Sequence, residues 1–123
     1  MHEFGVAAAV LEAVDARAVG RRVRALRLHV GALQRLDRGV FDQAFAMIAD
    51  GGVAQDATVD VVEVPVVVRC HACAAEATGD ELVTTCPDCA GHDLELVGGD
   101  DLVLASITLA DRAAPDRTTQ EVG

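Results

Sequence analysis

Two rhythms of apolar positions run along the chain. Near the start, Phe4, Ala7, Leu11, Val14 and Ala18 fall at i, i+3, i+7, i+10 and i+14, which predicts a helix with Glu12, Asp15 and Arg17 on its other side. Gly20 ends it. The rhythm then shortens to two: in "RALRLHVG", Leu26, Leu28 and Val30 share one face and Arg27 and His29 the other, which predicts a half-buried strand ending at Gly31. The helical period returns in "DRGVFDQAFAMIADGG", where Phe41, Ala44, Phe45 and Ile48 share a face, Asp37 suits the N-cap and Gly51-Gly52 supplies the stop.

From Ala57 to Arg69, "ATVDVVEVPVVVR" is rich in β-branched valine and predicts one strand, with Pro65 marking an edge or a bulge. Later, "DLELV" and "DLVLASITLA" lie on either side of Gly98-Gly99-Asp100-Asp101 and predict a hairpin. The closing "DRAAPDRTTQEVG" has no apolar period and is read as a disordered tail, residues 111–123. These elements predict an α+β fold: two helices packed on a small, mostly antiparallel sheet, with a cysteine-bearing lobe inserted. The expected division is a discontinuous α/β domain of residues 1–69 and 93–110 around a lobe of residues 70–92.

Length agrees with one unit and an appendage, since 123 residues, 51% of them hydrophobic, bury one ordinary core. Charge narrows the partners. Residues 1 to 38 carry seven Arg against four acids, whereas residues 39 to 110 carry one Arg against thirteen acids. Most of this surface repels phosphate, and with no lysine and only Phe4, Phe41 and Phe45 as aromatics there is no base-stacking platform. No nucleic-acid partner is expected. The basic stretch Arg17 to Arg27 reads as a solvated helix end and strand, or as a meeting place for an acidic partner. The apolar run "FGVAAAVL" follows Glu3 and not a basic region, so it is not read as a signal peptide, and no stretch approaches the roughly twenty apolar residues of a membrane span. A cytoplasmic, reducing location is the expectation.

All four cysteines, Cys70, Cys73, Cys86 and Cys89, lie in "CHACAAEATGDELVTTCPDCAG" as two C-x2-C pairs. Two-residue spacing lets both sulfurs of a pair point at one centre from a tight turn, and two such turns complete a tetrahedron. In a reducing compartment this favours zinc over two disulfides, with iron and redox chemistry as the lesser alternatives. Four thiolates leave no open position for a metal-bound water, so the zinc-ribbon-like lobe is expected to hold a structural Zn(II). His71 and His92, close to the pairs, could replace a cysteine as ligand but are expected outside the first coordination shell.

Taken in order, "MHE", "HVGAL", "FDQAFAMIADGG", "VDVVEVPVVVRC" running into C-x2-C, "CPDC" and "GDDLVLASITLA" resemble the HypA family, nickel metallochaperones of hydrogenase maturation. The resemblance covers about residues 1 to 110. It implies that His2 ligates nickel and that Glu3 belongs to the site. The Met1 amine, the His2 backbone nitrogen and its imidazole can close adjacent chelate rings, and a fourth donor completes the square plane favoured by Ni(II). Met1, His2 and Glu3 are therefore the expected nickel site, with Ni(II) as a transient cargo. Asp37 is an N-cap first and an accessory carboxylate second.

The chain departs from the family pattern at Gly5, where relatives commonly have Ser, and at Ala74 and Ala90, where Gly often follows each cysteine pair. It also has Asp37-Arg38 where Pro-Glu is common. The alanines raise the cost of left-handed turns behind the sulfurs by about 1 kcal/mol each, so differently shaped turns are an expectation. The resemblance implies a carrier and not an enzyme. Its partners would be the GTPase HypB, the hydrogenase large-subunit precursor and, in some organisms, urease maturation proteins. A zinc-ribbon interaction or nucleic-acid module is the competing class, and the acidic surface counts against it. Catalysis lacks a nucleophile pattern, a phosphate-binding glycine loop or an open metal site.

Overall fold

The structure is a computed structural model that describes residues 2–110. The expected tail and Met1 lie outside the described residues. Helix α1 spans Glu3–Ala18 and leads to strand β1, Val23–Gly31, then a single 3-10 turn, Ala32–Gln34, and helix α2, Arg38–Ala49. Strands β2 (Thr58–Val64), β3 (Val66–Cys70), β4 (Glu76–Gly79), β5 (Leu94–Gly98) and β6 (Leu102–Leu109) follow. They form two three-stranded sheets, ordered β2-β1-β6 and β4-β3-β5. The fold is α+β, as expected. The one parallel pair among the described residues, β1 with β2, is bridged by the segment containing α2, the long crossover that a parallel pair requires.

One core joins the helices to the first sheet. Ala7, Val10, Val14 and Ala18 of α1 and Phe41, Ala44, Phe45 and Ala49 of α2 are buried with Leu26, Leu28, Val30 and Leu104. Phe41 and Phe45, one helical turn apart, stack with ring centroids 5.8 Å apart. In β6 the register steps from Leu28↔Leu104 to Arg27↔Ser106, so Ala105 is bulged out. That extra residue lets Leu102 and Leu104 before it and Ile107 and Leu109 after it all pack on the core.

The buried stripe of α1 is rotated from its expected position. Glu3 and Val10 are buried where Phe4 and Leu11 were expected, and Phe4 is 50% exposed. The cause is the start of the helix, where Glu3 faces α2 and takes the first inward position.

Two strand expectations are corrected. The long valine run is not one strand: it breaks at Pro65, β2 joining the first sheet and β3 the second. Proline cannot donate to a ladder, so the chain changes sheets there. Nor do β5 and β6 form a hairpin; β5 pairs with β3 and β6 with β1. The glycines between them make a crossing instead of a turn. Gly99 has φ +99°, and a Cβ on it would lie 2.5 Å from Val66 Cα. Gly31, on the other side, would bring a Cβ within 2.3 Å of Gly99. The two chain passages between sheets therefore cross backbone on backbone. The N–H groups of Gly31 and Leu33 donate to Asp101 and Gly99 carbonyls, 2.7 and 2.9 Å, and pin the crossing. By sheet membership, Val66–Cys70 and Leu94–Gly98 pair with each other around the cysteines, so the second sheet reaches beyond residues 70–92 on both sides.

Candidate metal centres

Strand β3 ends on Cys70 and runs straight into the first C-x2-C turn, which β4 follows; the second turn precedes β5. The two turns are built alike. Ala74 N–H donates to Cys70 O at 2.8 Å and Ala90 N–H to Cys86 O at 2.9 Å. Both alanines adopt the left-handed conformation, φ +65° and +64°. The turns thus keep the shape a glycine would give, and the expectation of altered turns is overturned. Backbone hydrogen bonds hold Ala there despite the Cβ penalty.

This geometry gathers the four sulfurs. The Cys70–Cys89 and Cys73–Cys86 Sγ pairs are 3.7 and 3.6 Å apart, and all four lie within 4.8 Å of one another. A tetrahedral zinc with Zn–S of about 2.3 Å requires S···S separations of about 3.8 Å, whereas a disulfide requires about 2.05 Å. The donor set therefore fits zinc. It combines two buried sulfurs, Cys70 and Cys86, with two exposed ones, Cys73 and Cys89. The N–H groups of Cys89 and Asp88 donate to Cys86 and bring its thiol down to about 7. At Cys73 the Ala75 N–H acts in the same direction, but the neighbouring thiols, Cys86 first, and burial push it up to about 12. Crowded sulfurs cannot all ionise unless a cation shares their charge, which is what a bound metal provides.

The two nearby histidines are occupied elsewhere. His71 sits between two carboxylates, Nε2 2.8 Å from Glu95 and Nδ1 3.3 Å from Asp93. The hydrogen bond to Glu95, then the charge of Asp93, raises its pKa. His71 so ties the first cysteine turn to β5, beside the Arg69–Glu76 ion pair, 2.8 Å, that ties β3 to β4. His92 Nδ1 lies 3.2 Å from the Thr84 carbonyl. Neither joins the four-cysteine group.

The second centre lies at the beginning of α1. His2 occupies the N-cap position, its carbonyl accepting from Val6 N–H at 2.9 Å, and its side chain is 49% exposed. Its Nδ1 is 3.9 Å from Glu3 Oε2. Glu3 is 3% exposed, and its carboxylate accepts the Asp37 N–H at 2.9 Å. The hydrogen bond from the Asp37 N–H acts to lower the pKa of the carboxyl. Asp37 is an N-cap, its Oδ1 accepting from Val40 N–H at 3.1 Å. The structure therefore brings His2, Glu3 and Asp37 together where the two helices begin. Glu3 was expected in the site, but its burial was not, since that depends on the Asp37 N–H 34 residues away.

A small α+β protein with a four-thiolate lobe and a histidine-carboxylate terminus fits a metal-binding class. The comparisons identify which one. Residues 1–109 match the family described as "Hydrogenase/urease nickel incorporation, metallochaperone, hypA". The hydrogenase maturation factor HypA of Rhodopseudomonas palustris (strain TIE-1) is 34% identical over 105 residues, covering 83% of this chain and 93% of that protein. HypA of Rhodobacter capsulatus is 30% identical over the same coverage. The solution structure of the Ni metallochaperone HypA from Helicobacter pylori aligns with a TM-score of 0.65 at 21% identity, covering 89% of this chain and 97% of that one, and shows the same fold. The chain belongs to the HypA family of nickel metallochaperones.

Proposed function

We propose that this chain carries Ni(II) at Met1, His2 and Glu3 and delivers it to the nickel-iron hydrogenase large-subunit precursor, while Cys70, Cys73, Cys86 and Cys89 hold a structural Zn(II). It acts as a carrier in the cytoplasm and not as an enzyme. HypB is the GTPase partner in this reading, and urease maturation proteins are further clients. The observation that carries it is the half-exposed His2 side chain beside a buried Glu3 locked to the N-terminus of α2. An exposed imidazole on a fixed anchor can take up an ion and also release it, which a cargo site requires. The four sulfurs, by contrast, fill a shell and retain their ion.

The test is metal analysis of untagged protein with two variants. Wild type is expected to hold one zinc and one exchangeable nickel with a square-planar spectrum. His2→Ala, and a form extended by one residue before Met1, are each expected to lose that spectrum and keep the zinc. An extended form that binds Ni(II) like wild type rules out the amine as donor.

A further inference from the structure

The second sheet has two unlike faces. Side chains alternate along a strand and paired residues point the same way, so the register puts Arg69, Glu76 and Glu95 on one face. Val68 with Leu96, and Cys70 with Leu94, lie on the other. The charged face is matched within itself: Arg69 pairs with Glu76, and His71 lies between Asp93 and Glu95. The apolar face is open. There the loop after β4 and strand β5 wall a groove of about 300 Å³ over the buried Val68, and no carboxylate or guanidinium lines it. Leu82 and Val83 of the loop are 51% and 37% exposed, and Leu96 of β5 is 39% exposed. Both walls stand on the four-cysteine centre. His92 Nδ1, 3.2 Å from the Thr84 carbonyl, ties the loop to the second cysteine turn, and β5 starts just beyond that turn.

We propose that this groove docks a basic amphipathic helix of a partner protein. Large apolar side chains left exposed around one groove mark an interaction site. The groove lies on the face of the sheet and not along its edge, so it offers side chains and no row of unpaired N–H and C=O groups. An occupant must therefore satisfy its own backbone, as a helix does. Charge fixes the kind of helix. From Cys70 to Ala110 the chain has eight acids and neither Arg nor Lys. Asp80 and Glu81 run directly into Leu82, and neither makes an ion pair among the described residues. Four thiolates on one Zn(II) add a net charge of about -2 at the foot of both walls. Apolar anchors flanked by Arg or Lys are complementary to such a groove, whereas an acidic helix is repelled. The inference rests on the structural zinc above and not on the nickel site, and it gives that zinc a second consequence: holding the walls of the groove.

The experiment uses the untagged, zinc-loaded chain and two synthetic helix-forming peptides. Both have leucine at i, i+3, i+4 and i+7; one has arginine and the other glutamate at the flanking positions. Zinc per chain is measured first for every variant, so a failure of the zinc reading appears there and separately. The arginine peptide is expected to bind with amide shifts at Val68, Leu82, Leu94 and Leu96, and the glutamate peptide about tenfold or more weakly. Leu82→Ser/Leu96→Ser, with its zinc retained, is expected to weaken the arginine peptide about tenfold. Asp80→Asn/Glu81→Gln keeps every apolar side chain and is expected to weaken it about threefold at low salt and less at high salt. If the leucine variant loses zinc, the Asp80/Glu81 variant decides alone. Unchanged affinity in either zinc-loaded variant overturns the proposal, as does a glutamate peptide that binds equally well. Shifts confined to the cleft of Asp50 and Asp56 beside α2 would reduce binding to attraction by charge alone and overturn it too. Self-association of wild type that Leu82→Ser/Leu96→Ser abolishes, with no change in peptide binding, would assign the groove to a second copy and overturn the basic helix as occupant.

Discussion

Single residues in unusual conformations show where this chain bends for its site. Ala74 and Ala90 stand left-handed behind the cysteine pairs, and so does Val19 at the end of α1, with φ +50° and 81% exposure. A β-branched residue there pays the full steric penalty and contributes almost no burial. Val19→Gly is therefore expected to raise stability by about 1 kcal/mol, read as a higher denaturation midpoint at unchanged slope; a lower midpoint would show that Val19 packs on something. Ala74→Gly relieves the same penalty inside the metal turn, and is expected to slow zinc loss to a chelator. Cysteine spacing was legible because it is local: four donors in one stretch define one centre whatever the rest of the fold does. The burial of Glu3 was not, since it depends on Asp37, 34 residues away. An acidic side chain at a helix start normally signals solvent and a favourable helix dipole.

At the level of elements, type was easier to read than partnership. Valine-rich runs became strands and the α2 stop fell at Gly51, but a strand's sequence does not say which sheet receives it. Pro65 and the Gly98-Gly99 pair are the places where the chain leaves one sheet for the other, and both were read as local features of a single sheet. Their real role is a close crossing of backbones, and Gly99 is the residue that permits it. Gly99→Ala would force a Cβ to 2.6 Å from the Pro65 carbonyl oxygen and keep alanine at φ +99°. It is expected to cost about 2 kcal/mol or more, seen as a lower melting temperature, and to raise amide exchange at Gly31 and Leu33, whose bonds hold the crossing. Wild-type exchange at those two amides would show that the crossing is held by something else.

Over the whole molecule, stability is divided between the two sheets and charge along the chain. The large apolar cluster belongs to the helices and the first sheet, whereas the second sheet gathers around four sulfurs and has little apolar core of its own. Zinc removal, or Cys86→Ser, is therefore expected to open residues between Arg69 and His92 to proteolysis and leave α1 and the first sheet protected. A metal-free chain as resistant as wild type in that stretch would refute a structural zinc. Charge follows the sequence and not the sheets: the arginines are concentrated in the first part of the chain and the acids in the remainder. Of the basic stretch, Arg27 is already paired with Asp60 at 2.8 Å, while Arg21 and Arg24 are exposed. In a chain of net charge -10, two exposed arginines three residues apart in sequence act on a partner through steering more than through binding strength. With HypB as the proposed partner, Arg21→Glu/Arg24→Glu is accordingly expected to slow association several-fold at low salt, to lose most of that effect above the ionic strength at which a surface charge is screened, and to leave the dissociation rate nearly unchanged. Neither side chain lies in a metal centre, so nickel and zinc content should remain at wild-type levels. An association rate that does not respond to the reversal at low salt would return both arginines to the role of solvated surface.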